Sequence, residues 1–159
     1  MATQHELDIV YMSNAVNMAA LSKAVRKKVG CVLVTPESIQ IGSFNGTPSG
    51  WDNVCETEEV ELVSMFGERP YFRKTGELKT LNHVIHAELN SILHAARQGV
   101  CVKGSTLYTT LSCCVQCSAM VAQAGIRRVV YKEAYRDTTG IEMLERNGII
   151  VEQLNVDDV

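Results

Sequence analysis

From residue 86 onwards, segments with a helical pattern of apolar residues alternate with short β-branched segments, and this alternation limits the fold more than any other feature. Helices are predicted at residues 86–98, 114–124 and 140–147, and strands at residues 105–111, 127–131 and 149–151. Neighbouring parallel strands need crossover connections, which helices usually provide. The second half of the chain therefore predicts parallel strands covered by helices.

The first half adds a helix and a hairpin. Apolar residues recur at helical spacing from His5 to about Lys23, and two β-rich segments at residues 29–35 and 38–44 flank a turn at Pro36. Together the elements predict a three-layer α/β/α sandwich with a mixed sheet of about five strands. We expect one domain spanning residues 1–159. The weakly periodic stretch at about 51–82 is interpreted as a long loop insertion, with a short helix at 58–66.

Composition narrows the choice of partners. The net charge is -3, and the longest basic run is Arg26-Lys27-Lys28, so long nucleic acid is not an expected partner. No apolar run approaches the roughly 20 residues that span a bilayer, and the N-terminus lacks the zones of a signal peptide. We expect a cytoplasmic protein without a membrane partner.

A possible metal site combines His86 with Cys114 and Cys117. Cysteines three residues apart lie on the same side of a helix and can hold one ion, and helix N-termini favour the thiolate form. Catalytic zinc usually has three protein ligands and leaves the fourth position to water. Glu88 is then available to accept a proton from that water.

A structural zinc site is the alternative, with His83 or Cys113 as fourth ligand. Such a closed site would leave Glu88 without a role, and the chain would then be a nucleotide-binding regulatory module. Spacing alone leaves both possibilities open.

Two motifs carry a resemblance to the zinc-dependent cytidine deaminase superfamily, whose signature is H-x-E followed by P-C-x-x-C. The motifs are His86-Ala87-Glu88-Leu89-Asn90 and Ser112-Cys113-Cys114-Val115-Gln116-Cys117. The glycine-rich stretch from Gly42 to Gly50 looks like that of deoxycytidylate (dCMP) deaminases, particularly those of phages. Cys113 stands where the superfamily usually has proline.

The resemblance implies hydrolysis of dCMP to dUMP and ammonia, with Zn²⁺ held by His86, Cys114 and Cys117. Glu88 would carry protons from the zinc-bound water to the pyrimidine N3 and then to the departing ammonia. Related alternatives are a deoxycytidine or cytidine deaminase and a tRNA adenosine deaminase. The implied substrate contacts are Ser22, Lys23, Arg26, Asn45, Thr47, Ala87, Ser112 and Tyr135.

The resemblance also implies regulation and assembly. It suggests activation by dCTP and inhibition by dTTP, with Mg²⁺ accompanying the triphosphate, and a homo-oligomer, specifically a hexamer. If a phage encodes the chain, the compartment would be the host cytoplasm. The residues implied in effector binding are Gly42, Phe44, Asn45, Gly46, Pro48 and Gly50.

Overall fold

The computed structural model describes residues 1–155, which form a mixed five-stranded sheet, a separate two-stranded sheet and four helices. The helices are α1 (Gln4–Ala19), α2 (Ala87–Gln98), α3 (Val115–Gln123) and α4 (Thr139–Arg146). The strands are β1 (Gly30–Val34), β2 (Gln40–Phe44), β3 (Glu56–Phe66), β4 (Arg69–Thr80), β5 (Thr106–Leu111), β6 (Arg128–Glu133) and β7 (Ile150–Gln153).

The larger sheet has the strand order β2-β1-β5-β6-β7. Strand β1 runs antiparallel to β2 and β5, whereas β5, β6 and β7 are parallel to one another. Helices α3 and α4 connect the parallel strands in turn. The predicted mixed sheet is therefore confirmed, and its parallel part is the alternating segment of the sequence.

Helices cover both faces of this sheet, because successive side chains of a strand point to opposite faces. On one face, α1 packs Met12 and Ala15 in a buried cluster with Val32 and Tyr108. On the other face, residues of α2, α3 and α4 form the main core with strand residues; that core includes Leu33, Leu107, Val129, Ala95, Val121 and Leu144. The predicted three-layer α/β/α sandwich is confirmed.

Helix α1 approaches β1 so closely that a side chain on Gly30 would not fit. A Cβ at that position would lie 2.0 Å from the Ala15 carbonyl oxygen and 2.4 Å from the Ala19 nitrogen. The helix begins with a capping box between Thr3 and Glu6 and ends at Ala19, four residues before the predicted end.

The prediction of a loop containing a helix at residues 58–66 is wrong. Strands β3 and β4 pair as an antiparallel hairpin from Glu56 and Thr80 at its base to Phe66 and Arg69 at its tip, with two register irregularities. A two-stranded hairpin with irregular register shows no clean period of two in the sequence.

The hairpin presents an unusual surface. Pairing and alternation place four apolar side chains on one face, each between 53% and 58% exposed: Val60, Leu62, Met65 and Phe72. The same face also carries Lys74, opposite Val60 and paired with Glu58, whereas the opposite face carries the ion pair between Glu61 and Arg73 and the exposed Tyr71. We call the first surface the apolar hairpin face.

The two parallel strands β5 and β6 end at the same edge of the sheet, where α3 begins. The Ser112 hydroxyl, just after β5, accepts a hydrogen bond from the Tyr135 nitrogen, just after β6, at 2.7 Å. This edge is where open α/β sheets usually bind ligands. In the described part of the chain, no helix has both the length and the apolar composition that crossing a bilayer requires.

Candidate active site

Three potential metal ligands converge where α2 and α3 begin. The Nδ1 atom of His86 lies 3.5 Å from the Cys114 sulfur and 3.4 Å from the Cys117 sulfur, and all three ligand atoms lie within 4.8 Å of one another. Nitrogen and sulfur ligands of a tetrahedral zinc ion are about 3.6 Å apart, given bond lengths of roughly 2.0 to 2.3 Å. The two nitrogen–sulfur distances therefore match those around a zinc ion.

The two alternative ligands do not join this group. Within residues 1–155, the cluster of possible metal ligands contains His86, Cys114 and Cys117, and neither His83 nor Cys113. The His83 ring instead stacks against Trp51, with 5.0 Å between ring centroids. Three protein ligands are the number that leaves a coordination position for water.

Helix starts explain how these ligands come together. His86 is the N-cap of α2 and Cys114 the N-cap of α3, and neither side chain caps its own helix. Both are therefore free to face the other helix. Hydrogen bonds from Cys117 and His86 lower the pKa of the Cys114 thiol, which favours the thiolate that a metal requires.

Glu88 lies in the first turn of α2 and is only 4% exposed. Burial raises the pKa of its carboxyl to about 7, which the backbone amide and the nearby His86 only partly offset. A carboxyl group with a pKa near neutrality can both accept and donate a proton at cellular pH. Glu88 is thus suited to proton transfer next to the metal ligands.

A cavity of about 210 Å³ opens in front of the metal ligands. Its wall contains the ligands His86 and Cys114 together with Glu88. Five of the substrate contacts implied by the resemblance also line it, namely Arg26, Asn45, Ala87, Ser112 and Tyr135. The fold therefore brings residues from five separate segments to one pocket.

The structure gives Ser22, Lys23 and Thr47 other positions, none of them in the wall of this cavity. The Ser22 hydroxyl donates to the Asn45 carbonyl at 2.8 Å and is 1% exposed. The Thr47 hydroxyl donates to the Asp52 carbonyl at 2.6 Å. Their hydroxyls support loops near the pocket, and Lys23 is exposed to solvent.

Asn45 lines the pocket and also holds in place the loop that contains the basic run at residues 26–28. Its Oδ1 accepts from the Val29 nitrogen at 2.8 Å, and its Nδ2 donates to the Lys27 carbonyl at 2.9 Å. Neighbouring residues of the glycine-rich stretch contact the start of α2 and the residue before its N-cap: the Ser43 hydroxyl donates to the Ala87 carbonyl, and Gly46 forms a β-bridge with Ile85. A displacement of this stretch would therefore reach the catalytic segment directly.

Sequence reasoning missed three polar residues of the pocket wall, Lys27, Glu56 and Thr80, and three apolar ones, Val29, Val84 and Leu111. Lys27 belongs to a basic run, a pattern that is also typical of an ordinary solvent-exposed surface. In the structure it forms an ion pair with Glu133 at 2.6 Å. Glu56 and Thr80 lie in the segment interpreted as a loop. No sequence signal connects them to a site whose motifs begin at residue 86.

Comparison with known proteins agrees with this geometry. Residues 5–133 match the family model described as the cytidine and deoxycytidylate deaminase zinc-binding region. The chain is 34% identical over 151 residues to the deoxycytidylate deaminase of Enterobacteria phage T4, covering 79% of this chain and 78% of the relative. It is 33% identical over 124 residues to that of Mycobacterium phage D29, covering 78% and 92%.

A solved structure is similar over almost the whole chain. The dCMP deaminase of cyanophage S-TIM5, crystallised in complex with dCMP and dUMP, superposes with a TM-score of 0.80 at 34% identity. The match covers 96% of this chain and 100% of the other. The likeness thus extends over nearly the whole chain and supports the fold described above.

Proposed function

The chain belongs to the cytidine and deoxycytidylate deaminase family, and on that premise we propose that it hydrolyses dCMP to dUMP and ammonia. One observation carries the proposal: three zinc-competent ligands lie beside a buried carboxyl group at a pocket whose wall includes Arg26 and Lys27. The similarity to phage dCMP deaminases supports the same substrate. We further propose that one domain, residues 1–159, performs the reaction.

His86, Cys114 and Cys117 are the residues that would hold zinc. Bound there, zinc acts as a Lewis acid that lowers the pKa of a water molecule to near neutrality. The chain's own contribution is to fix the ligands at two helix starts, with His86 and Cys114 in the wall of the pocket.

Glu88 performs the proton transfers. It accepts a proton from the attacking water and delivers it to N3 of the cytosine ring as oxygen adds to C4. It then takes the remaining proton from the C4 hydroxyl and passes it to the amino group, which leaves as ammonia while C4 becomes the carbonyl carbon of dUMP. Because Glu88 is 4% exposed, bulk water has little access to its carboxyl group during these transfers.

The remaining pocket residues orient the nucleotide. Ala87 and Tyr135 line the pocket, and we assign the Ala87 amide to the base carbonyl and the Tyr135 ring to packing on the base. Arg26 and Lys27 supply positive charge for the 5′-phosphate. This charge favours a nucleotide over deoxycytidine, and a net charge of -3 does not favour a tRNA substrate.

Regulation by dCTP and dTTP, with Mg²⁺ accompanying the triphosphate, belongs to the same proposal. The ties between the stretch around Gly42 to Gly50 and α2 support it, because an effector bound there would act on the segment that carries Glu88. Titration of each nucleotide at subsaturating dCMP tests this. Unchanged rates with both would remove effector control from the proposal. A cytoplasmic location, in the host if a phage encodes the chain, remains a prediction.

We also propose that the protein forms a homo-oligomer, specifically a hexamer. The apolar hairpin face supports it, because an isolated two-stranded hairpin is marginally stable in water and needs packing. A face with four half-exposed apolar side chains is typical of a protein contact. A second copy of the chain is a partner that is always present.

Glu88→Gln tests the catalytic assignment, with Glu142→Gln on the exposed side of α4 as the control. We expect both variants to keep zinc, and only Glu88→Gln to lose at least about 10²-fold in the rate of dCMP turnover. Loss of cytosine absorbance measures the rate with dCMP, deoxycytidine and dCTP as substrates. No turnover of any substrate by the zinc-loaded wild type would indicate the nucleotide-binding module instead.

A further inference from the structure

The base of the β3–β4 hairpin forms one side of the pocket, although its strands extend away from the main sheet. Glu56 and Thr80 are the first cross-strand pair of the hairpin, and both line the pocket. The hairpin base is closed by a hydrogen bond from the Leu81 nitrogen to the Cys55 carbonyl at 2.9 Å. Cys55 is buried with Ala24 and Val84, so this end of the hairpin is anchored to the body of the protein.

This basal pair holds Arg26 at two points. The Oε1 atom of Glu56 accepts hydrogen bonds from the backbone nitrogens of Val25 and Arg26, at 3.0 and 3.2 Å. The Thr80 hydroxyl accepts from Nη1 of Arg26 at 3.1 Å. One strand therefore fixes the main chain of Arg26, and the other strand fixes its guanidinium group.

The charges in this region favour an anionic ligand. Within residues 1–155, no carboxylate lies within ion-pair distance of the Arg26 guanidinium, whereas the neighbouring Lys27 is paired with Glu133. The Glu56 oxygen that accepts the two N–H groups directs its charge towards the loop backbone. The guanidinium keeps most of its donors for a ligand, and a planar guanidinium suits a phosphate.

We propose that Glu56 and Thr80 are positioning residues that hold Arg26 for the 5′-phosphate and so set the preference for a nucleotide over a nucleoside. The hairpin base is then part of the substrate-recognition apparatus rather than only a support for the hairpin. The inference rests on the proposed function, since it concerns the phosphate of the same substrate.

A positioning role has a signature that a merely structural role lacks. If Glu56 acts through Arg26, its removal affects the phosphate and leaves the reacting base untouched. The KM for dCMP rises while kcat and the kinetics with deoxycytidine stay nearly constant. A general loosening of the fold would instead affect both substrates and lower kcat.

The variants are Glu56→Ala and Thr80→Val, with Glu56→Gln and Thr80→Ser as conservative partners that keep a hydrogen-bond acceptor. Glu58→Ala is the matched control, because Glu58 lies two residues along the same strand, pairs with Lys74 and does not line the pocket. Zinc content and thermal unfolding are measured for each variant to confirm that it is folded.

We expect Glu56→Ala to raise the KM for dCMP about tenfold, the effect of losing one well-placed hydrogen bond. Thr80→Val has a smaller effect in the same direction, and both conservative variants recover most of the loss. Deoxycytidine kinetics change by less than about twofold in all of them. Glu58→Ala behaves as wild type.

A double-mutant cycle with Arg26→Ala decides whether the effect passes through Arg26. We expect Glu56→Ala to add nothing to the KM of the Arg26→Ala protein. Full additivity would overturn the inference, as would equal losses with dCMP and deoxycytidine.

Calorimetric titration with dUMP, which is not turned over, separates this inference from the proposed function. We expect Glu56→Ala to weaken dUMP binding about tenfold, in proportion to its effect on the KM for dCMP. Equal dUMP affinities for wild type and Glu56→Ala would overturn the positioning role. Absence of wild-type turnover of dCMP would instead overturn the proposed function.

Discussion

Replacing Asp8 by alanine should destabilise the protein strongly, although Asp8 lies far from the pocket. Asp8 is on α1 and only 5% exposed. Its two carboxylate oxygens accept from the Arg128 guanidinium at 2.8 and 2.7 Å, and one also accepts from the Tyr108 hydroxyl at 2.7 Å. One carboxylate thus ties α1 to both β5 and β6.

The expected loss of stability depends on the partners of the Asp8 carboxylate that would stay buried after its removal. Removing one partner of a buried ion pair costs about 3–5 kcal/mol, because the other charge stays buried without compensation. Arg128 is 17% exposed and keeps its contact with Glu152 at 2.5 Å, so the lower end applies, about 3 kcal/mol. For a domain of this size, that lowers Tm by roughly 6–12 °C.

The effect should depend on pH in one direction. Burial alone raises the pKa of Asp8, but hydrogen bonds from Arg128, Tyr108 and Gln4 outweigh it and hold the pKa below its ordinary value. A carboxyl group with a depressed folded-state pKa stabilises the fold above its unfolded pKa, about 3.9. The difference in free energy of unfolding between wild type and Asp8→Ala is therefore at its largest at pH 7 and becomes smaller as the pH falls below about 4.

Urea unfolding at pH 7 and at a series of lower pH values measures this difference. Gln4→Ala is the control, since its side chain also contacts Asp8, at 2.9 Å, but is exposed. It should change stability by less than about 0.5 kcal/mol. A loss below 1 kcal/mol for Asp8→Ala at pH 7, or a loss that grows on acidification, would refute the reasoning.

Three further changes test the packing, the assembly and the metal site. Gly30→Ala should lower the free energy of unfolding in urea by about 3 kcal/mol or more, because the added Cβ would collide with the backbone of α1. Gly46→Ala is the control: its Cβ would have no atom within 4 Å, and it should lower that free energy by less than about 0.5 kcal/mol. Equal stabilities of the two variants would contradict the close contact. Leu62→Glu on the apolar hairpin face should reduce the sedimentation mass of the oligomer, and Tyr71→Glu on the other face should not; a monomeric wild type would remove the oligomer proposal. Cys117→Ala should abolish zinc binding, so a chelator should lower the Tm of the wild type but not that of the variant. Stoichiometric zinc in Cys117→Ala would show that the ligand set is wrong.

Several features of the site were predictable because their signals are local. The spacing of Cys114 and Cys117 and the motif around His86 lie within single helix starts, where neighbouring residues decide the geometry. The three-layer sandwich follows from strand and helix periods in the same way. The helix predicted at residues 86–98 ends as expected at Gly99, whose φ of 69° is the left-handed conformation that glycine favours.

Other features depended on contacts between distant segments. Asp8 is buried on α1, and the positions of Tyr108 and Arg128, 100 and 120 residues later, explain its burial. The prediction of a loop at 51–82 failed because the pairing of β3 with β4 depends on contacts between the two strands. The irregularities in their register interrupt the alternation of apolar and polar residues that would indicate a strand in the sequence.

The sequence by itself predicted the fold class and indicated His86, Cys114, Cys117 and Glu88 as candidates for the metal ligands and the proton carrier, because these signals depend on residue type and on spacing within short segments. The tertiary structure alone decided which cations face the pocket. Arg26 and Lys27 line it and Lys23 does not, because Asn45 and Glu56 hold the backbone between residues 25 and 29. Those hydrogen bonds join segments 16 to 31 residues apart, and no local pattern encodes a contact between chain segments that meet only after folding.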